Sequence, residues 1–151
     1  MNLTRIEDVV DAVRLHYCES LFLARALPSG KLRIVDVGSG AGFPGFPVAV
    51  FCPEFQVDLV ESNHRRAVFL RDACHGIGNI RVIAERSQDL DGHYDWIISR
   101  AVRPTEVLNL KLAPKAAILM SSRQLELGAI EVLTTPWRPD HIVAMFHVKL
   151  D

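Results

Sequence analysis

The chain has 151 residues, 49% of them hydrophobic and 23% charged, and a formal net charge of −1. This length suits one globular domain, and no apolar run approaches the ~20 residues that a membrane-spanning helix needs. The first residues carry acidic side chains and no apolar signal-peptide core, so we expect a cytoplasmic protein that does not enter a membrane.

Strands and helices are predicted to alternate along the chain. Apolar residues recur at helical spacing over residues 6–27, before Pro28-Ser29-Gly30. Short apolar runs predict seven strands, at 32–37, 55–61, 80–84, 96–99, 116–120, 130–133 and 142–148. Helices are predicted at 46–52, 63–74 and 105–112, with a shorter one within 85–94.

This alternation predicts an α/β fold with a mostly parallel, doubly wound sheet, of the Rossmann-like kind. We expect a single domain in which residues 1–30 form a helical leader and residues 31–151 the sheet core. Only residues 122–128 separate the fifth and sixth strands, whereas a parallel crossover needs a dozen or more. We therefore expect a shortened C-terminal part, with its helix reduced or lost and its last strands antiparallel to the main sheet.

A glycine-rich turn with Gly38, Gly40 and Gly42 follows the first predicted strand. Glycine permits positive φ and lets a ligand lie against bare main chain. In the dinucleotide fingerprint G-x-G-x-x-G, the third glycine would fall at position 43, where the ring of Phe43 would obstruct a pyrophosphate. The turn therefore favours an adenosyl ligand without a diphosphate, which points to S-adenosylmethionine. A nicotinamide dehydrogenase is the weakest alternative.

Two acidic residues accompany this turn. Glu61 ends the second predicted strand, 19 residues after Gly42, where a carboxylate can accept hydrogen bonds from both ribose hydroxyls of an adenosine. Asp36 lies inside the first strand, and an unpaired acid is costly to bury there. We expect Asp36 to brace the glycine turn and not to take part in chemistry.

Other chemistry-bearing residues form no recognisable catalytic or metal-binding set. The three cysteines have no C-x-x-C spacing, which predicts reduced thiols and no metal site. None of the six histidines pairs with a nucleophile in the sequence, so we assign the histidines to surface or packing roles.

The segment Gly38-Ser39-Gly40-Ala41-Gly42-Phe43-Pro44-Gly45 resembles the G-[ST]-G-A-G-[FL]-P-G signature of the bacterial small-subunit rRNA methyltransferase G family, once called glucose-inhibited division protein B. Asn2-Leu3-Thr4, together with residues 16–21, is similar to the family's N-L-T and H-x-x-D-S-L, with Glu19 in place of the aspartate. Residues 61–66 and 95–101 resemble two further family segments. The resemblance extends over about residues 1–122.

The resemblance implies methyl transfer from S-adenosylmethionine to guanine N7 in 16S rRNA, with the rRNA or the 30S subunit as partner. It implies that Arg100 acts near the guanine or the cofactor, and we take Arg100 as the catalytic candidate. Ser87 and Gln88 match two family residues that lie against the adenine. The turn, Glu61 and the resemblance together predict ten cofactor-binding residues: Gly38, Ser39, Gly40, Gly42, Phe43, Glu61, Ser62, Ser87, Gln88 and Arg100.

Basic residues are concentrated in the segment 65–123, which holds ten Lys or Arg against six Asp or Glu. Arginine accounts for 13 of the 17 basic residues of the chain, and its guanidinium pairs well with phosphate. We predict RNA contacts at Arg65, Arg66, Arg71, Arg103, Lys111 and Arg123. We expect the protein to be a monomer.

Three departures from the family pattern motivate alternatives. The family usually has a helical segment before N-L-T, so we expect part of the RNA platform to be missing. Gln88 stands where the family has glutamate, and Ser121-Ser122 where it has a K-G pair. A second hypothesis is therefore a divergent paralogue that binds S-adenosylmethionine without methylating rRNA. A third is a small-molecule methyltransferase.

Overall fold

The computed structural model describes residues 8–125 and 128–150. Predicted features at residues 1–7, including the Asn2-Leu3-Thr4 motif, lie outside the described residues, as do 126–127 and 151. No helix among the described residues is both long and apolar enough to cross a membrane.

The described residues contain seven strands: β1 (Arg33–Val37), β2 (Gln56–Val60), β3 (Ile80–Ile83), β4 (Trp96–Arg100), β5 (Lys115–Ser121), β6 (Ala129–Thr135) and β7 (Arg138–His147). They form one sheet in the order β3-β2-β1-β4-β5-β7-β6. Strands β1 to β5 are parallel, and the chain reverses its winding direction at β1. The predicted α/β fold with a mostly parallel, doubly wound sheet is therefore confirmed.

The predicted helix over 6–27 is present over residues 9–26, which we call the leader helix. It consists of α1 (Val9–Ala12), a π-helical segment (Val13–Cys18) and α2 (Glu19–Ala26). The carboxylate of Asp8 caps it by accepting hydrogen bonds from two backbone N–H groups of the first turn. Leu23 is fully buried against the sheet, so the leader helix contributes to the hydrophobic core.

The remaining helices begin where the sequence carries helix-starting residues. Asn63 caps α4 (His64–Ala73) by accepting a hydrogen bond from the Arg66 N–H at 3.1 Å. Proline is tolerated in a first turn, as at Pro47 in α3 (Gly45–Phe51) and at Pro104 in α5 (Pro104–Asn109). A 3₁₀ turn (Ser87–Asp89) lies within the predicted segment 85–94.

The C-terminal strands correct one prediction. Strand β7 is antiparallel to both β5 and β6. The expectation that the last strands are antiparallel to the main sheet is therefore confirmed for β7, but it is wrong for β6, which runs parallel to β5. The expected loss of the helix is consistent with a 3₁₀ turn (Ser122–Gln124) after β5.

The core has two halves, one on each face of the sheet. Ile34 of β1 faces a cluster beneath the leader helix, α3 and α4, whereas Val35 faces a cluster that includes Val107 of α5. Successive strand residues point to opposite faces of the sheet. Both faces therefore carry apolar side chains, which the helices on each side bury. Because the helices cover the two faces of the sheet, a ligand can reach the backbone at the carboxyl ends of the strands.

Candidate functional site

The glycine turn, residues 38–42, leaves the carboxyl end of β1 and is tied to the end of β2. The backbone N–H groups of Gly38 and Ser39 both lie 3.0 Å from the carbonyl oxygen of Val60. Gly38, Gly40 and Gly42 have φ values of 72°, 58° and 100°, which confirms the predicted positive φ. The turn is therefore a fixed piece of main chain at the edge where doubly wound sheets bind ligands.

Two of the predicted cofactor residues support the turn from beneath. The Ser39 hydroxyl is buried and donates a hydrogen bond to the carbonyl oxygen of Asp36 at 3.0 Å. A Cβ atom at Gly42 would lie 3.2 Å from Leu70 Cδ2 and 3.3 Å from Phe46 Cβ. Ser39 and Gly42 are thus buried and do not line the cleft beside Glu61 that is described below.

Glu61 joins the glycine turn to the loop after β2. Its Oε2 accepts a hydrogen bond from the Gly40 N–H at 2.9 Å, and its Oε1 accepts one from the Asn63 N–H at 2.7 Å. A carboxylate has about four acceptor sites, so each oxygen of Glu61 retains capacity for a further donor. The side chain is 6% exposed and is held in place.

A cleft of about 290 Å³ opens beside Glu61. Its lining brings together five predicted cofactor residues: Gly38, Glu61, Ser62, Ser87 and Gln88. Glu85, which the sequence offers as a substitute for the family glutamate replaced by Gln88, lines the same cleft. The lining is polar and contains both donors and acceptors, as an adenosine requires.

Asp36 lies under the turn and is fully buried. Its Oδ2 accepts a hydrogen bond from the Gly45 N–H at 2.9 Å, which links β1 to the start of α3. This contact confirms that Asp36 braces the turn region. Among the described residues none hydrogen-bonds to its Oδ1, and burial raises the pKa of the carboxyl group to about 7.

Arg100, at the carboxyl end of β4, contacts the leader helix. Its Nη1 donates to the carbonyl oxygen of Leu15 and lies 2.8 Å from Nδ1 of His16, while Nη2 lies 3.8 Å from Oε2 of Glu19. Burial, followed by the charge of Arg100, lowers the pKa of His16, so the ring is neutral and can accept. The position of Arg100 therefore depends on the leader helix.

Glu19 extends these contacts to the C-terminal strands. It is 1% exposed, and its Oε1 lies 2.8 Å from Nδ1 of His141 in β7. With Arg100, Ser121 and Gln124, these two residues line a second cavity of about 190 Å³. Sequence reasoning gave Glu19 no role and placed all histidines at surface or packing positions, because no local pattern links residues that are 122 positions apart.

Phe43 does not line the 290 Å³ cleft, although it was predicted to contact the cofactor. Its ring stacks on His16 with ring centroids 4.8 Å apart and meets Tyr17 edge-on at 5.0 Å. Both partners lie in the π-helical segment, and such segments are frequent at functional sites. Phe43 thus holds the glycine turn against the leader helix.

Four of the six predicted RNA contacts lie at the carboxyl edge of the sheet. Arg65 and Arg66 are in the first turn of α4, Arg103 is the N-cap of α5, and Arg123 lies in the 3₁₀ turn after β5; all four are exposed. The other two, Arg71 and Lys111, lie farther from the glycine turn. Arg71 is in the last turn of α4.

Lys111 lies at the opposite, amino edge of the sheet. It borders a cavity that is also lined by Gly128, His147 and Val148. The structure therefore does not bring Lys111 together with the glycine turn.

Among the described residues, no three His, Cys, Asp or Glu side chains are grouped so that they could hold a metal ion.

Comparison with known proteins identifies close relatives. A family model described as rRNA small subunit methyltransferase G matches residues 1–122. A ribosomal RNA small subunit methyltransferase G from Stenotrophomonas maltophilia (strain R551-3) is 44% identical over 105 residues, which cover 67% of this chain and 49% of that protein. The corresponding protein of Nitrosospira multiformis is 43% identical over 104 residues, or 66% and 47%. The chain thus spans about half the length of these curated relatives.

Solved structures share the fold at low sequence identity. A SAM-dependent methyltransferase from Aquifex aeolicus gives a TM-score of 0.70 at 14% identity, over 95% of this chain and 96% of that one. The fibrillarin pre-rRNA processing protein of Methanococcus jannaschii gives 0.61 at 17% identity, over 83% and 70%. At this identity the likeness concerns the fold alone.

Proposed function

The chain belongs to the rRNA small subunit methyltransferase G family, and we propose that it transfers a methyl group from S-adenosylmethionine to guanine N7 in small-subunit (16S) rRNA. The observation that carries the proposal is the contact between Glu61 and the glycine turn at the mouth of the 290 Å³ cleft. The Glu61 carboxylate has acceptor sites left for a ligand and lies beside exposed main chain, which suits the ribose of an adenosyl cofactor.

The residues of the cleft fit S-adenosylmethionine. Glu61 would accept hydrogen bonds from the two ribose hydroxyls with its remaining acceptor sites. Ser87 and Gln88 would bind the adenine edge, since a hydroxyl and an amide can each donate and accept. Glu85 would add a carboxylate acceptor that Gln88 itself lacks. The main chain at Gly38 leads from the cleft toward Arg100, where the methyl-bearing end of the cofactor would lie.

The chemistry requires little acid–base work from the protein. When bound, S-adenosylmethionine supplies a methyl group activated by its positively charged sulfur. Guanine N7 has an in-plane lone pair and no proton, so no general base is needed to prepare it. The chain contributes by holding the base in line with the methyl group and by excluding water from the reacting atoms. Arg100 is the residue that we assign to this task.

The basic residues at the carboxyl edge support an RNA substrate. Arg65, Arg66, Arg103 and Arg123 would contact phosphates on either side of the target nucleotide. Arg71 and Lys111 would contribute less because they lie farther from the glycine turn. A partner of this kind, the 16S rRNA or the 30S subunit, implies a cytoplasmic protein. We expect RNA affinity to fall as salt rises, because phosphate neutralisation releases counterions.

The test combines cofactor binding with product analysis. Calorimetry measures the affinity for S-adenosylhomocysteine, and mass spectrometry of nucleosides detects 7-methylguanosine after incubation with labelled cofactor and unmodified 30S subunits or 16S rRNA. We expect binding and 7-methylguanosine formation with the native chain. We expect binding about 10- to 100-fold weaker with Glu61→Gln, because hydrogen bonds to a charged group are lost. Glu54→Gln, at an exposed position before β2, is the matched control.

Each alternative hypothesis predicts a different result. Cofactor binding without methyl transfer to rRNA favours the divergent paralogue, for which Gln88 in the cleft is the supporting observation. Turnover of a small acceptor without RNA favours a small-molecule methyltransferase. A chain that binds no S-adenosylhomocysteine contradicts all three hypotheses.

A further inference from the structure

The second cavity lies on the other side of the glycine turn from the cleft. Val37 of β1 and Ser99 of β4 are paired in register, so Gly38 and Arg100, the residues that follow them, leave neighbouring strands at the same level. Neighbouring strands are ~4.8 Å apart. Arg100 lines the 190 Å³ cavity and Gly38 lines the 290 Å³ cleft, so these two residues stand between the two spaces.

The lining of this cavity combines one buried acceptor with several donors. Glu19 is 1% exposed and has two charged or chargeable partners, Arg100 at 3.8 Å and His141 at 2.8 Å. The Arg100 contact is longer than a hydrogen bond. The carboxylate therefore retains acceptor capacity. Burying such a group is costly and contributes little to stability by itself.

The volume of the cavity limits what it can hold. At about 190 Å³ the cavity is smaller than the cleft of about 290 Å³ to which we assign the adenosyl cofactor, so we assign only a single planar base to the cavity. Enzymes that modify a base take it out of the stack and read its Watson–Crick edge in a closely fitting pocket. The cavity has the size and the position for this purpose.

We propose that this cavity binds the acceptor guanine and that Glu19 selects guanine by accepting hydrogen bonds from N1–H and the 2-amino group. Guanine presents two adjacent hydrogen-bond donors, N1–H and the 2-amino group, on its Watson–Crick edge. On the same edge of adenine, cytosine and uracil, no two donor groups are adjacent. Arg100, beside Glu19, supplies donors that match O6. N7 lies across the purine from N1 and the 2-amino group, so the base held in this way points N7 away from the carboxylate. The inference rests on the proposed methyl transfer.

The experiment measures base selection directly and needs no turnover. The full chain, saturated with S-adenosylhomocysteine, is titrated by NMR with guanosine 5′-monophosphate and with inosine 5′-monophosphate. The two nucleotides differ only in the 2-amino group, so a difference in affinity reports on the base and not on the phosphate. We expect the guanosine nucleotide to bind at least about tenfold more tightly, which is the effect of one hydrogen bond to a charged acceptor.

Variants at position 19 assign this preference to the carboxylate. Glu19→Gln keeps the shape and removes the charge, and we expect it to reduce the tenfold preference to less than about threefold. Glu19→Asp keeps the charge and is expected to retain part of the preference. Glu54→Gln is the control and is expected to bind like the native chain. Thermal unfolding of each variant verifies the fold, and the comparison in the native chain stands even if Glu19→Gln does not fold.

Two results would overturn the inference: equal affinity of the native chain for the two nucleotides, or an undiminished preference in folded Glu19→Gln. Equal affinities together with cofactor binding and 7-methylguanosine formation refute this inference alone. Failure to bind the cofactor refutes the proposed function, whatever the nucleotides do.

Discussion

The cleft and the cavity at the carboxyl edge of the sheet are built in different ways. The cleft is formed by short segments that follow β1, β2 and β3, and its central contact joins the Gly40 main chain to Glu61. The cavity is formed by residues of the leader helix, β4, β5, the 3₁₀ turn after β5, and β7, and Glu19 and His141 are 122 positions apart in the chain. The cleft thus depends on local backbone geometry, and the cavity depends on how distant elements pack.

The largest expected effect is on the support of the cleft. Gly45→Ala would place a Cβ atom in overlap with Leu59 Cδ2 and 2.6 Å from Asp36 Oδ2, at a buried position. We expect the free energy of unfolding to fall by about 3 kcal/mol, a decrease of about 6–12 °C in Tm. Calorimetric or optical melting measures it. Gly78→Ala, where no atom lies within 4 Å, should change Tm little; equal effects at the two sites would contradict the crowding at Gly45.

The second prediction concerns pH. The pKa of Asp36 is raised from 3.8 to about 7, so the folded chain keeps a proton that the unfolded chain releases at lower pH. Its contribution to stability therefore falls as pH rises from about 4 to about 7. Asp36→Asn removes this titration.

The measurement is the difference in unfolding free energy between Asp36→Asn and the native chain, from urea denaturation at pH 5 and pH 8. From pH 5 to pH 8 we expect the native chain to lose about 2–3 kcal/mol of unfolding free energy relative to Asp36→Asn. Any constant cost of the amide cancels between the two pH values. A difference that is independent of pH would show that Asp36 titrates near its ordinary value.

The third prediction compares two ion pairs with the same substitution. Arg100→Lys removes the planar fork that contacts Leu15, His16 and Glu19, and we expect a loss of about 2 kcal/mol because Glu19 is buried and would lose its charged partner. Arg81→Lys alters the pair with Asp58, where the arginine side chain is 63% exposed, and should cost less than about 1 kcal/mol. Denaturant unfolding of the two variants and the native chain measures both losses in the free energy of unfolding. A larger loss at Arg81 than at Arg100 would contradict the greater weight that we give to the contacts of Arg100.

The smallest expected effect is in the cleft alone. Gln88→Glu restores a carboxylate that can accept from an adenine amino group, so we expect the affinity for S-adenosylhomocysteine to rise about two- to threefold. The exposed Gln56→Glu, at the start of β2, adds the same charge away from the cleft and should have no effect. Calorimetry distinguishes the two variants, and an unchanged affinity in Gln88→Glu would argue against adenine lying at this position.

Sequence patterns predicted the parts of the molecule that depend on neighbouring residues. The alternation of apolar strands and helices predicted the parallel sheet, and the glycine turn with Glu61 predicted the cleft, because each lies within one strand-turn-helix unit or at the end of the next strand. Asp36 was also predicted to brace the turn, since a buried acid needs a hydrogen-bond donor. In these cases the physical cause is visible within about 20 residues.

The direction of β6, the interior positions of Ser39 and Gly42, and the contact of Phe43 with the leader helix were not predicted. The sequence does not show that β7 lies between β5 and β6 and is antiparallel to both, which makes β6 parallel to β5. Phe43 was expected in the cofactor cleft because the sequence does not show the π-helical segment that covers it.

The amino-acid sequence by itself determined the fold class, the glycine turn and the acidic residue beside it, because backbone preferences and burial periodicity act over short distances. Only the tertiary structure decided that Arg100 is held by the leader helix and that Glu19 meets His141 in a second cavity. Those contacts arise when distant elements bury their apolar faces on one sheet, and the position of each then depends on all the others.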